Sequence, residues 1–390
     1  MVARGLNEKS RARAVLWPCK INQQRPGLHG FAQFCRAPAR PHPAAGRCFP
    51  PFPMTHPDRL AAFVALGHRL AALTPAEINA LAARARNQNA WFDEPSVTAA
   101  VAGLARLLAD EPLRRWAARY PTEPTAPRRV GVVMAGNIPL VGFHDLLCVL
   151  LSGHALLAKL STDDTVGMSW LIRELTGLEP RFANAVQVLP RLNAADAFIA
   201  TGSDNTARYF EYYFGQRPHL IRRNRTSVAV LTGQETDAEL ARLGPDIFQY
   251  YGLGCRNVSK LFVPAGYDFV PLLDALQTCE GVLHHHKYNN NYDYNKSILL
   301  VNRVPHYDTG FLLLTRDPKL VSPISVLYYA EYASEIDLVD QLTDVAAQTQ
   351  CVVSAGARFA GSLPFGQAQS PGVSEYADGV DTMEFLAQLP

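Results

Sequence analysis

A cysteine that follows a glycine-rich turn is the residue in this sequence best suited to covalent chemistry. In the stretch QYYGLGCRNVSK, Cys255 comes after Gly252 and Gly254 and is followed by Arg256 and Lys260. The reactive form of cysteine is the thiolate, and a free thiol titrates near about 8.5, so a neighbouring group must lower its pKa. Arg256 and Lys260 are candidates for this role, and the glycines leave room for substrate and cofactor. On these residues alone, Cys255 is either a nucleophile or an ordinary buried thiol.

The other cysteines favour a reducing environment over a disulfide framework. The chain has seven cysteines, an odd number, and they are scattered, so we expect a cytoplasmic protein. Cys148 lies in an apolar predicted helix, Cys279 ends a helix and Cys351 begins a strand, so these three are interpreted as buried hydrophobic residues. The most apolar stretch, LLCVLLSGHALLA, is interrupted by polar residues, which argues against a membrane span.

The first 53 residues differ in composition from the rest of the chain. They carry nine of the 37 Lys and Arg residues and one of the 35 acids, which leaves 28 basic against 34 acidic residues from Met54 onward. A transit peptide and a nucleic-acid-binding arm are two interpretations, but the prolines oppose an amphipathic helix and the charges are spread thinly. We favour a disordered extension, with Met54 opening the folded protein. The acidic balance after Met54 gives nucleic-acid binding little support.

From residue 128 the sequence alternates between short strands and helices, after a helical segment at 57–120. RRVGVVMAGN, ALLAKLS, AVQVLP and DAFIATGS are predicted strands, and this alternation is typical of an α/β fold with parallel strands. The turns MAGNIP and ATGSDN each follow a strand and open a helix, the second with Ser203 as N-cap. Helix N-termini there suit a pyrophosphate, although neither turn has the full Gly-x-Gly-x-x-Gly pattern, and both are also consistent with plain tight turns.

A second α/β unit is predicted after the cysteine. KLFVPAG, KSILLVN, TGFLLLTRD, ISVLYYAEY and CVVSAG are predicted strands, and DFVPLLDALQTC and SEIDLVDQLTDVAAQ are predicted helices. The run HHHKYNNNYDYN at 284–295 is interpreted as a polar, aromatic loop at the mouth of the site or at a subunit contact. Adjacent histidines in an extended chain point to opposite faces, so we predict no metal site.

The order of these motifs resembles the aldehyde dehydrogenase superfamily. VGVVMAGNIPL, HALLAKLS, FIATGSDNTARYFEYYFG, TSVAVLTG, YYGLGCRNVSKLFVP, SPISVL and LPFG occur in that order. The sequence is most similar to the fatty acyl-CoA reductase family typified by the luminescence reductase LuxC, over about residues 125–385. The resemblance implies an α/β fold with a Rossmann-like cofactor domain, a catalytic domain and an oligomerisation arm. It divides the chain into 54–246 for the helical lead-in and cofactor domain, 247–355 for the catalytic domain, and 356–390 for a segment that returns to the cofactor domain or to a subunit interface.

The same resemblance assigns roles to individual residues. It implies that Cys255 is the nucleophile, set between Gly252 and Lys260, and that Asn137 is the oxyanion-hole amide. Gly254 and Arg256 would complete the surroundings of the thiolate. The residues that the resemblance implies for cofactor binding lie in three turns: Gly136, Lys159, Ser161, Gly202 and Ser203.

Two departures from the superfamily pattern narrow the chemistry. The stretch LIRRNRTSVAV stands where hydrolytic members carry the glutamate that activates water, and it contains no acid. An enzyme whose acyl group leaves by reduction or thiol exchange has no use for that base. Lys319, in KLVSP, stands where the superfamily places the glutamate that holds the nicotinamide ribose, so ribose binding is expected to differ.

The resemblance and these departures predict NADPH-dependent reduction of a long-chain fatty acyl-CoA to the aldehyde through an acyl-cysteine intermediate. NADH remains an alternative to NADPH. The alternative activities are oxidative aldehyde dehydrogenation and reduction of an acyl phosphate on the same fold. Outside the oxidoreductases, the alternative functions are a cysteine hydrolase or acyltransferase and a non-catalytic scaffold. The expected partners are the small molecules acyl-CoA and NAD(P)H, a second copy of the chain in a homo-oligomer, and an acyl-transferring protein.

Overall fold

The computed structural model describes residues 54–202, 210 and 212–390. The predicted extension at 1–53 lies outside the described residues, and so does Ser203, with most of the helix that it was expected to cap. Among the described residues, no helix is long and apolar enough to cross a membrane.

Four helices lie between residues 54 and 128, before the first strand, in the segment that the 3.6-residue periodicity predicts to be helical. Two of them begin with reciprocal capping boxes, at Thr55 with Asp58 and at Thr74 with Glu77, which satisfy free N–H groups of the first turn. The Asp93 carboxylate caps the third by accepting from the Ser96 N–H. The bounds are α1 His56–Ala71, α2 Pro75–Gln88, α3 Glu94–Leu107 and α4 Asp110–Ala117.

The first sheet is parallel and has the order β3-β2-β1-β4-β5. The chain adds β2 and β3 on one side of β1 and then crosses to β4 and β5 on the other, which makes the edge between β1 and β4 a topological switch point. Buried apolar residues of these strands join α1, α5 and α6 in one core. The bounds are β1 Arg129–Val133, α5 Phe143–Leu151, β2 Ala155–Lys159, α6 Thr165–Leu178, β3 Val186–Val188, β4 Ala197–Thr201 and β5 His219–Arg222.

The second sheet has the order β12-β11-β6-β7-β10-β9-β8, parallel except for the pair β8 and β9. The nucleophile stretch lies between α7 and β7, at the amino end of a central strand. The bounds are β6 Thr226–Val230, α7 Asp237–Phe248, β7 Val258–Pro264, α8 Val270–Leu276, α9 His286–Val301, β8 His306–Asp308, β9 Leu313–Arg316, β10 Val326–Tyr332, α10 Glu335–Val345, β11 Thr349–Ser354, β12 Leu363–Pro364 and, after the sheet, α11 Thr382–Ala387.

The prediction for residues 284–302 is wrong in its secondary structure. The polar run expected as a loop and KSILLVN expected as a strand form one helix, α9. Its buried residues, Tyr288, Tyr292 and Asn295, recur at intervals of four and three, so they lie on one helical face. The signal was present, but polar and aromatic residues carry it rather than aliphatic ones.

The first sheet ends and the second begins between residues 222 and 226, and the domain limit at 246 stays a prediction. The strand β5 ends the first sheet at Arg222, and β6 opens the second at Thr226 with no helix between them. The segment after 356 packs against the core of the first sheet through Val373, Tyr376 and Met383. All strands of the described residues belong to these two sheets, so the two α/β units are confirmed and the oligomerisation arm stays a prediction.

Candidate active site

The nucleophile turn, residues 249–257, is built on unusual backbone. Tyr250, Tyr251 and Gly252 are consecutive residues with φ of 53°, 58° and 78°. Only glycine adopts this left-handed region freely, and each tyrosine there costs about 1–3 kcal/mol unless its surroundings hold it. Strain of this kind concentrates at functional sites. The turn reverses the chain between the end of α7 and the start of β7 and leaves Cys255 half-buried.

The thiol of Cys255 is not strongly activated in the free protein. Burial raises its pKa above the ordinary value, and the positive charge of Arg256 offsets part of this rise. Cys351 and Asp378 act in the raising direction. The backbone carbonyl of Cys255 accepts a hydrogen bond from Ser227 Oγ at 3.1 Å. Burial of Cys255 therefore disfavours the thiolate, which is the form that attacks.

Of the two cations predicted to face this thiol, only Arg256 influences it. Arg256 is held by the Ala368 carbonyl at 3.2 Å and by Glu375 at 3.1 Å. Lys260 is 4% exposed, and its Nζ donates to the carbonyls of three consecutive residues, 317–319, at 3.0–3.2 Å. Since three N–H groups exhaust an ammonium's donors, Lys260 holds that loop. The prediction that it lowers the pKa of Cys255 is wrong, because in strand β7 its side chain is committed elsewhere.

The loop after β1 brings Asn137 to the nucleophile turn. The Asn137 side chain is exposed and its Nδ2 donates to the Leu253 carbonyl at 2.8 Å. This bond joins the carboxyl edge of the first sheet to the amino end of β7. Leu253 is two residues before Cys255. The second N–H of the Asn137 amide is therefore available for the oxygen of a substrate at Cys255. The oxyanion role of Asn137 stays a prediction, and the geometry is compatible with it.

The predicted cofactor residues that the structure describes lie at the carboxyl ends of β1, β2 and β4. Gly136 is buried, and a Cβ on it would overlap the Ser161 side chain. Lys159 ends β2 and is half-buried, which lowers its pKa. Gly202 follows β4, and its N–H donates to the Arg222 carbonyl at 3.1 Å. These residues are brought together at one sheet edge, whereas Ser203 lies outside the described residues.

A buried carboxylate that the sequence did not single out holds the loop after β1. Asp164 is 1% exposed, and its Oδ2 accepts from the Leu140 N–H at 2.7 Å. Leu140 has a φ of 61°, another non-glycine residue in the left-handed region. Burial raises the pKa of Asp164 to about 7. The signal in the sequence is the pair Asp163 and Asp164, directly before α6.

The stretch 220–230, which contains no acid, contributes Arg222 to a buried ion pair with Asp145. Arg222 Nη1 contacts both oxygens of Asp145 at 2.7 and 2.8 Å, and its Nη2 donates to the Thr382 hydroxyl at 2.6 Å. The carboxylate that raises the pKa of Cys255 is that of Asp378, in the C-terminal segment. Its oxygens are engaged by Arg225 Nε at 3.4 Å and by a backbone N–H at 3.1 Å. Asp378 is thus bound to its neighbours rather than positioned as a free base.

The fold is similar to that of solved aldehyde dehydrogenases. A protein from Burkholderia cenocepacia assigned as an aldehyde dehydrogenase superposes with a TM-score of 0.60 at 16% identity, over 78% of this chain and 76% of that chain. An NAD-dependent aldehyde dehydrogenase from Sinorhizobium meliloti gives 0.59 at 11% identity, over 77% and 70%. The aldehyde dehydrogenase of Mycobacterium tuberculosis complexed with NAD+ gives 0.55 at 13% identity, over 78% and 74%. The predicted aldehyde dehydrogenase-like α/β fold is confirmed.

Part of the sequence also matches a family model. Residues 102–269, which include the loop that carries Asn137 and the nucleophile turn, match the family model described as Acyl-CoA reductase (LuxC). No curated protein sequence matches the chain significantly. The family match and the fold together confirm the predicted resemblance to LuxC-like acyl-CoA reductases, and they support an oxidoreductase of aldehyde-related chemistry.

Proposed function

We propose that this protein reduces a fatty acyl-CoA to the fatty aldehyde with NADPH, through a thioester on Cys255. The observation that carries the proposal is the joint placement of Cys255 and Asn137. A strained turn presents the thiol, and Asn137 from the other half of the molecule is tied to that turn through Leu253. A nucleophile beside a fixed amide donor is the arrangement that acyl transfer requires.

The first half-reaction forms a bond between the Cys255 sulfur and the acyl carbon. The thiolate attacks the thioester carbonyl, and the oxygen of the tetrahedral intermediate accepts from the Asn137 amide and the Cys255 N–H. Collapse of the intermediate breaks the bond to the CoA sulfur, which leaves as a thiolate and takes a proton from solvent. Arg256 supports the charged form of Cys255 in this step, because its positive charge lowers the pKa of the thiol.

The second half-reaction reduces the acyl-enzyme. NADPH, when bound, supplies the hydride to the carbonyl carbon. The oxyanion of the resulting thiohemiacetal is stabilised by the same two N–H donors, and its collapse releases the aldehyde and returns Cys255 as a thiolate. No water enters these steps. The absence of an acid in residues 220–230 and the engagement of Asp378 by Arg225 support reduction over hydrolysis of the acyl-enzyme.

The residues at the end of β2 fit a phosphorylated ribose. In nucleotide-binding α/β folds an acid about 20 residues after the first glycine turn holds the ribose 2′-hydroxyl, and a basic residue there accommodates a 2′-phosphate. Lys159 stands 23 residues after Gly136 and is followed by the hydroxyls of Ser161 and Thr162, with no acid before Asp163. A half-buried ammonium with two hydroxyls supports NADPH over NADH. A nicotinamide cofactor is also consistent with the NAD+ complex of the mycobacterial structural neighbour.

The test is the direction of nicotinamide turnover measured by absorbance. Purified protein with NADPH and a long-chain acyl-CoA should consume NADPH and release one free thiol per NADPH, and Cys255→Ala should do neither. Formation of NADPH from aldehyde and NADP+ in water, without CoA, would instead establish the oxidative alternative. Turnover of an acyl phosphate but not of an acyl-CoA would establish the second alternative. A homo-oligomer and an acyl-donating partner belong to the same proposal, and light scattering tests the first.

A further inference from the structure

The nucleophile turn is tied together by one side chain, that of Asn257. Its Oδ1 accepts from the Gly254 N–H at 2.8 Å. Its Nδ2 lies within hydrogen-bond distance of the carbonyls of Asp246, Ile247 and Gln249, at 3.2, 3.1 and 2.8 Å. Asn257 thus connects the last turn of α7 to the residue before the nucleophile.

Burial makes these bonds strong constraints. Asn257 is 2% exposed, and a buried amide left without partners costs about 1–3 kcal/mol. The bonds also span the residues with positive φ, Tyr250 to Gly252, whose conformation is unfavourable without external support. We infer that Asn257 is a positioning residue that fixes the nucleophile turn and thereby places the Cys255 thiol against Asn137.

The glycine before the nucleophile has a second role in this arrangement. A Cβ at position 254 would lie 2.9 Å from Asn257 Oδ1 and 3.8 Å from the Ile138 side chain. Real Cβ atoms essentially never approach another heavy atom that closely, so a side chain at 254 would displace the Asn257 amide. A glycine is therefore needed at 254 to keep the Asn257 amide in place, in addition to leaving room for substrate. Because its N–H is already bonded to Asn257, Gly254 is not an oxyanion donor, and that role falls to the Cys255 N–H.

The chemistry of the site explains an asparagine rather than an aspartate. The carbonyls at 246, 247 and 249 need a donor, and a carboxylate has none. A negative charge two residues from Cys255 would also raise the pKa of the thiol. An amide supplies both the donor and the acceptor without adding charge, and the neighbouring Arg256 keeps its effect on the thiol.

The inference rests on the proposed function, and the experiment separates the two. Asn257→Ala, Asn257→Asp and Gly254→Ala are compared with wild type for the rate of acyl transfer from acyl-CoA to Cys255, for NADPH affinity, and for the pH profile of Cys255 alkylation by iodoacetamide. Asn295→Ala is the matched control, because Asn295 is a buried asparagine of the same half that donates to one carbonyl, that of Ile324.

Displacing a nucleophile by about 1 Å costs about 10²-fold in rate. Asn257→Ala and Gly254→Ala should therefore slow acyl transfer by about that factor while NADPH affinity changes less than about twofold. Asn257→Asp should in addition move the alkylation profile to higher pH. Asn295→Ala should lower stability and leave the acyl-transfer rate, the NADPH affinity and the alkylation profile at wild-type values.

Wild-type acyl transfer and alkylation in folded Asn257→Ala and Gly254→Ala would overturn the inference. If wild type itself is alkylated at Cys255 but never acylated, the proposed function fails. The alkylation rates of the four variants then still decide the role of Asn257. Where a variant does not fold, Gly254→Ala, which retains the asparagine, decides the question.

Discussion

The two turns that meet at Cys255 are held in opposite ways. The loop after β1 carries Asn137 and is held by a buried carboxylate, since Asp164 accepts from the Leu140 N–H. The nucleophile turn is held by a neutral amide, that of Asn257. Both holding side chains are almost fully buried, and both support non-glycine residues with positive φ.

The difference follows from what each turn must tolerate. A carboxylate beside Cys255 would disfavour the thiolate, whereas Asp164 bonds to the loop after β1, at the Leu140 N–H. The carboxylate also titrates, with a pKa of about 7, and the amide does not. The molecule therefore has one turn whose support depends on pH and one whose support does not.

The largest effect is expected from removing the nucleophile. Cys255→Ala should reduce NADPH consumption with acyl-CoA to background, because no other thiol lies on the nucleophile turn. Cys351→Ala is the control, since that cysteine lies on β11, outside the nucleophile turn, and contacts the Ser227 hydroxyl. If Cys255→Ala retained turnover and Cys351→Ala lost it, the nucleophile would be Cys351 and not Cys255. Steady-state absorbance measures both.

Asn137→Ala should be next in size. Loss of one oxyanion donor lowers the rate by about 10²–10³, and the change also removes the bond to the Leu253 carbonyl. Acyl transfer to Cys255 should slow by this factor, while binding of NADPH is retained. Asn302→Ala, which removes the exposed amide of the residue that follows α9, serves as the control. An unchanged acylation rate would show that the first turn supplies no donor to the second.

Asp164→Asn should change how stability depends on pH. The pKa of Asp164 rises from 3.8 to about 7 on folding, so the native state binds more protons than the unfolded state between these values, and its contribution to stability falls as pH rises through about 7. Wild type should lose about 2–4 kcal/mol relative to the variant between pH 4 and pH 8. Urea unfolding of both proteins measures it. The pKa of His154 is lowered to about 4, so its contribution to stability rises with pH. This contribution is the same in wild type and variant and cancels in the difference between them. Parallel pH dependence of the two proteins would contradict the prediction.

The smallest effect is expected at Arg256. Because its charge offsets part of the burial effect on Cys255, Arg256→Ala should shift the alkylation profile of the thiol to higher pH. Arg256→Lys keeps the charge and should shift the profile less. A profile that stays in place in Arg256→Ala would mean that the local backbone, and not this cation, sets the thiol pKa.

The sequence predicts the parts of this molecule that depend on local order. The alternation of strands and helices, the turns at Asn137 and Lys159 and the position of Cys255 all follow from patterns along the chain. The contacts that hold the site are less accessible. Lys260 bonds to residues 317–319, and Glu375 reaches Arg256 from more than a hundred residues away.

One local feature was predicted wrongly and another was not predicted, each for a physical reason. The helix α9 buries tyrosines and an asparagine, so its periodicity is hidden among polar residues. Asn257 lies inside the very stretch that pointed to the nucleophile, but its role depends on a backbone turn whose left-handed residues are tyrosines. Tyrosine does not signal positive φ as glycine does, so the need for an anchoring amide could not be inferred.

The central claim is that Cys255 carries the acyl group. The most direct test is intact-mass and peptide mass analysis of the protein incubated with a long-chain acyl-CoA and no nicotinamide cofactor. The account predicts one added acyl group, located on the peptide that contains Cys255 and lost as aldehyde when NADPH is added. An unmodified Cys255 peptide, or an acyl group on another residue that disappears with NADPH at the rate of turnover, would contradict it.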